Sequence, residues 1–360
     1  MSRTITITLD QLYRAQPGGI GTYVRGLLQG LGGLDQESLE LIGLAPRGPL
    51  PAEAGVRDVR LVHAALPIGL LTRVWPFVSL GVESTSDVVH ATSMAGPYDG
   101  GRRTATHSVA MHDLLWRDEP SATTTRGIRF HERRLRRIVA REDLRVIVTS
   151  PDIRGRLVEE GIHDQRIYEV RLGVDDQGNC AETPTNVRRL LADRGVEGPF
   201  TFYAGTREPR KNLDRLVEGH RRARRANPEL GALVLAGPSG WGDVATGNAI
   251  ELGMVSRAML QGLYREASVF AYVPRAEGWG LPPVEALHAG ARVVASTTTP
   301  SVRSNTEVVR VDPLDVDAIA NGLAGALELD RDEASTSRRM ASVEDLTWRN
   351  AALDHLAAWR

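Results

Sequence analysis

Residues Tyr272–Gly290 read YVPRAEGWGLPPVEALHAG, and the way this stretch is built decides the fold. It continues an apolar run of β type, Ala267–Val273 (ASVFAYV), turns through Gly278 and Gly280, and opens a helix at Pro282-Pro283. Proline is tolerated there because first-turn amides have no intrahelical acceptor. A strand, a glycine-rich turn and a helix N-terminus together make an anion site. Glu277 stands before the turn and Glu285 in the expected first helical turn. Carboxylates accept hydrogen bonds from hydroxyls. An anion site bracketed by two of them suits a ligand carrying both phosphate and several hydroxyls, as a nucleotide sugar does.

Outward from that stretch, the chain alternates strand and helix twice over. The first half offers strands at Thr4–Leu9, Leu39–Leu44, Val56–His63, Asp87–His90, Thr106–Met111, Arg145–Thr149 and Ile167–Val170. Between them lie the helical runs Thr22–Leu31 and Thr125–Val139, a helix start at Ser150-Pro151-Asp152, and the apolar segment Pro67–Leu80, broken by Pro76. The polar stretch Asp176–Pro184 reads as a linker. The second half resumes with strands Phe200–Ala204, Ala232–Ala236, Ala267–Val273 and Arg292–Ala295, and helices Leu213–Arg225 and Arg257–Glu266. This pattern predicts an α/β protein of two doubly wound parallel sheets facing one cleft. A last amphipathic helix, Leu346–Trp359, turns Trp348, Leu353, Leu356 and Trp359 toward one side.

Bulk properties narrow the class. A chain of 360 residues is long for one core and suggests two domains. With 42% hydrophobic residues, 25% charged and a net charge of -1, it offers no electrostatic case for nucleic acid. The single cysteine, Cys180, rules out an internal disulfide framework and argues against a cysteine-built metal site. The first strand begins within a few residues of Met1, leaving no room for a signal peptide, and no uncharged apolar run reaches membrane-span length. The expectation is a cytoplasmic protein.

Several local features carry two readings each. Pro17-Gly18-Gly19-Ile20-Gly21 follows the first strand like a dinucleotide fingerprint, but Val24 stands where the third glycine belongs and no acidic residue ends the next strand. What remains is a glycine-lined turn where backbone can approach a ligand. His112-Asp113 ends a strand, the edge at which open α/β sheets present ligand groups; a helix cap with a surface histidine is the plain alternative. Arg126, Arg129, Arg133, Arg134, Arg136 and Arg137 share one helix, read either as a solvated face or as a surface for an anionic acceptor or acidic membrane. Asp315-Val-Asp317 resembles a metal-binding pair, but its setting is that of an acidic helix start. No Gly-x-Ser-x-Gly nucleophile motif is present. Lys211 is the only lysine among 44 basic residues, read either as chance under a general arginine bias or as a place where a compact ammonium is wanted.

Tyr203–Asn212 (YAGTREPRKN) brings Gly205 and then Arg210-Lys211 to a second strand end. Taken with Glu277 and Glu285, this closely resembles the family 4 retaining glycosyltransferases of the GT-B fold. The likeness extends over GGIGTYVRGLL (18–28), DVVHAT (87–92), HDLLW (112–116), the segment 146–175, LGMVS (252–256), EGWGLPPVEALHAGARVVAS (277–296) and VDPLDVDAIA (311–320). The resemblance implies an acceptor-side domain over residues 1–175, completed by the helix 346–360, and a donor domain over 176–345. It implies that Arg210 and Lys211 hold and stabilise the leaving diphosphate, helped by the amides of Gly278, Trp279, Gly280 and Leu281. It assigns Glu285 to the ribose, Glu277 to the transferred sugar, Gly19 to the phosphates and His112 to the sugar near the reacting carbon. Gly205 belongs to the phosphate motif, and Met254 and Val255 meet the base.

No cofactor or metal is implied. The donor is a nucleoside-diphosphate sugar, GDP-mannose as first expectation, because Glu-Pro-Arg-Lys-Asn resembles a subgroup rich in mannosyl- and rhamnosyltransferases. The acceptor expected by resemblance is a saccharide, a lipid-linked saccharide or a small molecule, and the lipid-linked reading brings with it peripheral contact to the inner membrane face through the N-terminal domain. Thr206 stands where many relatives carry arginine, and the segment after Ser296 is shorter than usual. Two other classes compete: an idle nucleotide-sugar-binding scaffold, and a nucleotide-sugar epimerase of the same fold.

Overall fold

The computed structural model describes residues 3–34, 39–51, 54–120, 123–174, 181–240, 242 and 244–360. The chain divides into two compact units, Met1–Asp175 with Asp345–Arg360, and Asp176–Glu344. Most of the expected linker, together with Cys180, lies outside the described residues.

The first unit is built on a parallel sheet of strands β1 (Arg3–Thr8), β2 (Leu39–Ala45), β3 (Arg60–His63), β4 (Val88–Ala91), β5 (Thr106–Met111), β6 (Arg145–Val148) and β7 (Ile167–Glu169), in the order β3-β2-β1-β4-β5-β6-β7. The second unit carries β8 (Phe200–Ala204), β9 (Ala232–Ala236), β10 (Ile250–Gly253), β11 (Val269–Tyr272), β12 (Val293–Ser296) and β13 (Val308–Val311), in the order β10-β9-β8-β11-β12-β13. Every pairing is parallel. Both sheets therefore reverse their winding beside their first strand, between β1 and β4 and between β8 and β11. In open α/β sheets the crevice at that reversal, outside the carboxyl ends, is where ligands bind. The strand interiors are buried on both faces because helices cover both; most of their side chains are apolar, but the first sheet also buries Thr6, Thr8, His90 and Ser108.

The expected elements recur with informative differences. The helix expected at Thr22–Leu31 begins at Gly18 and runs to Gly32, so the glycine turn is the helix's own first turn. The strand expected from Val56 is confined to Arg60–His63 at the sheet edge. Strands β10 and β13 and the helices Pro184–Ala192 and Glu333–Ala341 were not apparent from the pattern, being short or weakly periodic. Asp315 caps the helix Val316–Leu327, accepting from the amides of Asp317 and Ala318 at 2.8 and 3.1 Å, while Asp317 pairs with Arg222.

The C-terminal helix, Trp348–Ala358, packs within the first unit against helix Gly18–Gly32. A Cβ at Gly26 would lie 2.0 Å from the Trp348 ring, and one at Gly30 would lie 2.1 Å from the Trp348 carbonyl oxygen. These two glycines, one turn apart, permit the close approach. Trp348 and Trp359 are buried. Leu353, expected on the same face, is exposed, and the polar His355 is fully buried instead.

Candidate functional site

The second unit's site is assembled at the carboxyl ends of β8 and β11, the neighbours at the winding reversal. After β8 the chain makes a short 3-10 turn, Pro209–Lys211, which Asn212 closes in the left-handed conformation (φ 62°). Asparagine tolerates that conformation better than most residues. Its amide donates to the carbonyls of Val273 (3.0 Å) and Pro313 (2.7 Å), fixing the turn to the strand end beside it. After β11 the chain reaches Glu277 and turns at Gly280 (φ 93°), where a Cβ would lie 2.5 Å from Thr299 Cγ2. Helix Leu281–His288 follows.

Lys211, only 7% exposed, donates from Nζ to Tyr272 Oη and to Glu277 Oε2, each at 2.5 Å. Tyr272 donates to the same Glu277 oxygen at 2.5 Å, and Arg210 Nη1 lies 3.1 Å from it. Arg210 also pairs with Glu208 at 2.7 Å. Burial alone would raise the Glu277 carboxyl. The Lys211 and Arg210 charges, with hydrogen bonds from Lys211 and Tyr272, overcome it and hold Glu277 well below the usual carboxylate range. Burial likewise pulls Lys211 below its ordinary value, against the opposing pull of Glu277. The result is a desolvated ion cluster at the carboxyl ends of β8 and β11; burying such charges costs folding energy, and groups perturbed in this way gather at functional sites.

The neighbouring turn supplies donors. Gly278 N–H lies 3.3 Å from Glu277 Oε1, and of the first three residues of helix Leu281–His288 only Leu281 carries an N–H, which has no intrahelical acceptor, since Pro282 and Pro283 have no donor. Trp279 Nε1 is buried and lacks an acceptor among the described residues. Such orphaned donors are rare and call for a partner. Glu285 falls one turn into the helix and not in its first turn, where Tyr264 Oη donates to it at 3.0 Å. Gly205 follows β8, its N–H bonded to Ala236 O. Met254 and Val255 follow β10, the edge strand two positions over, with Met254 74% exposed.

Three contributors were not apparent in the sequence. Tyr272 ends β11, where its position read as core; its stacking on Tyr203 (centroids 6.1 Å) aims the hydroxyl at the ion pair. Ser301 donates to Gly280 O at 2.6 Å and its amide to Trp279 O at 3.0 Å, and Thr298 donates to Pro274 O at 2.8 Å. The short segment after Ser296 therefore braces the glycine turn.

In the first unit, Gly19 sits in the opening turn of helix Gly18–Gly32 and His112 follows β5. His112 Nε2 donates to the carbonyl of Thr92 at 2.9 Å, which leaves Nδ1 as the lone-pair nitrogen. Burial, against the Thr92 carbonyl and Asp113, keeps this imidazole below its ordinary value. Asp113 accepts from Leu115 N–H at 3.1 Å but is not the helix cap: the short helix Leu115–Asp118 has Leu114 as its N-cap and no side-chain cap, and His112 is half-buried and not a surface residue.

A cavity of 490 Å³ lies at the opposite, amino-terminal edge of the second sheet, lined by Arg188, Glu266, Arg292 and Arg331 among others. These guanidiniums donate to backbone carbonyls, and Arg188 also pairs with Glu266. They stitch the sheet edge together.

Two family models match: "Glycosyl transferase 4-like domain" over residues 18–173 and "Glycosyl transferases group 1" over residues 198–328. The chain belongs to the family 4, group 1 glycosyltransferases of GT-B fold. It is 32% identical over 174 residues to the O-antigen chain mannosyltransferase B of Escherichia coli, a match spanning 45% of each chain. Among solved structures it resembles the sucrose-phosphate synthase of Thermosynechococcus elongatus (19% identity, TM-score 0.72, 99% of this chain and 98% of that one). It also resembles HepE of Anabaena in complex with UDP and glucose (14% identity, TM-score 0.65, 99% and 95%).

Proposed function

We propose that the protein transfers a hexose, with retention, from a nucleoside-diphosphate sugar to an alcohol acceptor, and that the donor is GDP-mannose. The observation that carries this reading is the desolvated Lys211–Glu277–Arg210 cluster beside a helix N-terminus at the second sheet's winding reversal. Lys211 and Arg210, held in place by Glu277 and Glu208, would share their hydrogen bonds with a diphosphate, so the positive charge stands ready as the leaving group gains charge. Glu277 Oε2 is occupied by three donors, whereas Oε1 accepts from Gly278 N–H and has a second lone pair for a sugar hydroxyl. Glu285 takes the ribose hydroxyls, and Met254 and Val255 meet the base through their backbone. The Trp279 indole N–H and the amides from Gly278 to Leu281, with Gly205 and Gly19, serve the phosphates, and His112 serves the sugar. The acceptor oxygen attacks the anomeric carbon on the face the diphosphate leaves. The C–O bond to the diphosphate breaks as the new C–O bond forms, and the acceptor proton passes to a phosphate oxygen. No metal or cofactor is needed for that balance. The mannose assignment rests on the EPRKN form of the motif and on the partial likeness to a mannosyltransferase.

A panel of nucleotide sugars in thermal unfolding tests the donor. GDP and GDP-mannose should raise the melting temperature in step with concentration over affinity. Equal or larger shifts with UDP- or TDP-sugars would replace the donor, and no shift with any of them would remove the class. The anomeric configuration of the product, read by NMR, decides retention.

The acceptor side fits a lipid-linked saccharide met at an anionic membrane surface. No helix among the described residues is long and apolar enough to cross a membrane. On helix Thr125–Val139, Arg126, Arg129, Arg133 and Arg136 are exposed at three- and four-residue spacing, forming one stripe. Beside it, Arg137 lies 4.7 Å over the ring of Phe77, which is 69% exposed next to the exposed Val78. A basic stripe flanked by a projecting aromatic suits a headgroup layer. Vesicles containing phosphatidylglycerol should retain the protein at low salt and release it at high salt, with retention weakened by Phe77→Ser and by Arg133→Ser. Retention by neutral vesicles alone, or by none, would discard the membrane contact.

A further inference from the structure

Behind His112 in the first unit runs a buried hydrogen-bonded chain whose protons can be placed without choice. At one end the Trp359 Nε1–H, which can only donate, lies 2.8 Å from Ser108 Oγ. Ser108 Oγ lies 2.8 Å from His90 Nδ1, and His90 Nε2 lies 2.7 Å from Tyr23 Oη. Tyr23 Oη lies 2.8 Å from His355 Nε2, and His355 Nδ1 lies 2.7 Å from the carbonyl of Ala351, which can only accept. Working inward from both ends gives one direction: Trp359 donates to Ser108, Ser108 to His90, His90 to Tyr23, Tyr23 to His355, and His355 to Ala351. With both histidines neutral, every proton has an acceptor and every ring nitrogen is used once. All of the side chains in the chain are buried.

Tyr23 is the middle of this chain and its only member on helix Gly18–Gly32, one turn after Gly19 and on the same face. Its hydroxyl is gripped by a donor on β4 and an acceptor on the C-terminal helix, so the ring cannot turn. That ring meets the His112 imidazole edge to face, with centroids 4.8 Å apart and planes at 71°. His112 is also held by the Nε2–H bond to Thr92. A purely architectural network would have ended at the helix it anchors; this one carries a clamped aromatic onto the site histidine.

We propose that Tyr23 is a positioning residue for His112, and that through it the C-terminal helix sets the plane of the imidazole and the direction of its Nδ1 lone pair. The proposal rests on the reading of His112 as the group beside the transferred sugar.

The test uses the full chain with Tyr23→Phe, which keeps the ring and removes both hydrogen bonds. Expected are a kcat lowered about tenfold with donor KM little changed, as for a small misplacement at a reacting centre, and shifted or broadened His112 imidazole resonances. In a His112→Ala background, Tyr23→Phe should add nothing to the loss in kcat, because the two act as one unit. Unmoved His112 resonances, or losses in kcat that multiply independently, would overturn the proposal. Full transfer by His112→Ala would instead defeat the reading of His112, while its resonances still report on the clamp. Should Tyr23→Phe fail to fold, His355→Gln (acceptor kept) and His355→Leu (acceptor lost) pose the same question from the helix. Only the second should move the His112 resonances and kcat; equal behaviour of the two would overturn the proposal.

Discussion

Lys211→Met is expected to lower kcat by about 10²–10³-fold, the range seen when one donor to developing negative charge is removed. Methionine keeps most of the stem volume, so the change isolates the ammonium. Lys211 Nζ sits 2.5 Å from both Tyr272 Oη and Glu277 Oε2 in a buried site, so its charge is poorly screened. Removing it leaves Glu277 with Arg210 and Tyr272, which keep the carboxylate partnered and make folding more tolerant than in a simple buried pair. Lys211→Arg is not expected to rescue, because the longer, forked guanidinium does not fit a compact site already holding Arg210. Initial rates at saturating GDP-mannose are the measurement, with the unfolding midpoint as control. A near wild-type kcat in a folded Lys211→Met variant would take the leaving-group role away from this residue.

Glu277→Gln should separate the two tasks assigned to that side chain. Glutamine still accepts a hydrogen bond but no longer neutralises the two cations, so the pull of Lys211 and Arg210 on a diphosphate strengthens. GDP alone should bind at least as tightly as to the wild type, while transfer falls. These opposite signs follow from the geometry, since Oε2 serves the cations and Oε1 faces the glycine turn.

The sequence made the donor half far more legible than its supports. Gly278, Gly280, Lys211 and the two glutamates announce themselves because their chemistry needs particular residue types at strand ends. Tyr272 did not, because a tyrosine closing an apolar strand looks the same whether its hydroxyl meets water or a buried lysine. Gly18 and Gly19 were misplaced into a loop because glycine lowers helix propensity, yet here they form the first helical turn. The C-terminal helix was legible as amphipathic, but its face was assigned by hydrophobicity. That put Leu353 inward and overlooked His355, which is buried because three of its neighbours in space supply polar partners or ring contacts. Pairings across 332 residues, such as Tyr23 with His355, leave no local periodicity to find.

Acid should weaken the first unit through those same histidines. Burial pulls His355 down to about 4, against a partial lift from the Ala351 carbonyl, and pulls His90 well below its ordinary value near 6.5. Both are neutral in the native state, in keeping with a proton chain that has no place for another hydrogen. Below pH 6.5 the unfolded chain takes up protons that the folded chain refuses, so unfolding gains protons and stability falls with falling pH. The contribution is complete above pH 6.5 and is lost progressively on the way down to pH 4. For His355 alone the gap corresponds to about 3 kcal/mol. A protonated His355 would place a donor on each side of Tyr23, and the phenol proton would then be buried without an acceptor, a cost that adds to that of burying the charge. Urea unfolding followed by tryptophan fluorescence should therefore show a midpoint that drops between pH 6.5 and 4.5. His355→Gln should flatten part of that slope, since glutamine can take the Tyr23 proton and does not titrate. An unchanged slope in the variant would mean that the acid sensitivity resides elsewhere, His220 in the second unit, pulled by burial to about 4, being the next group to replace.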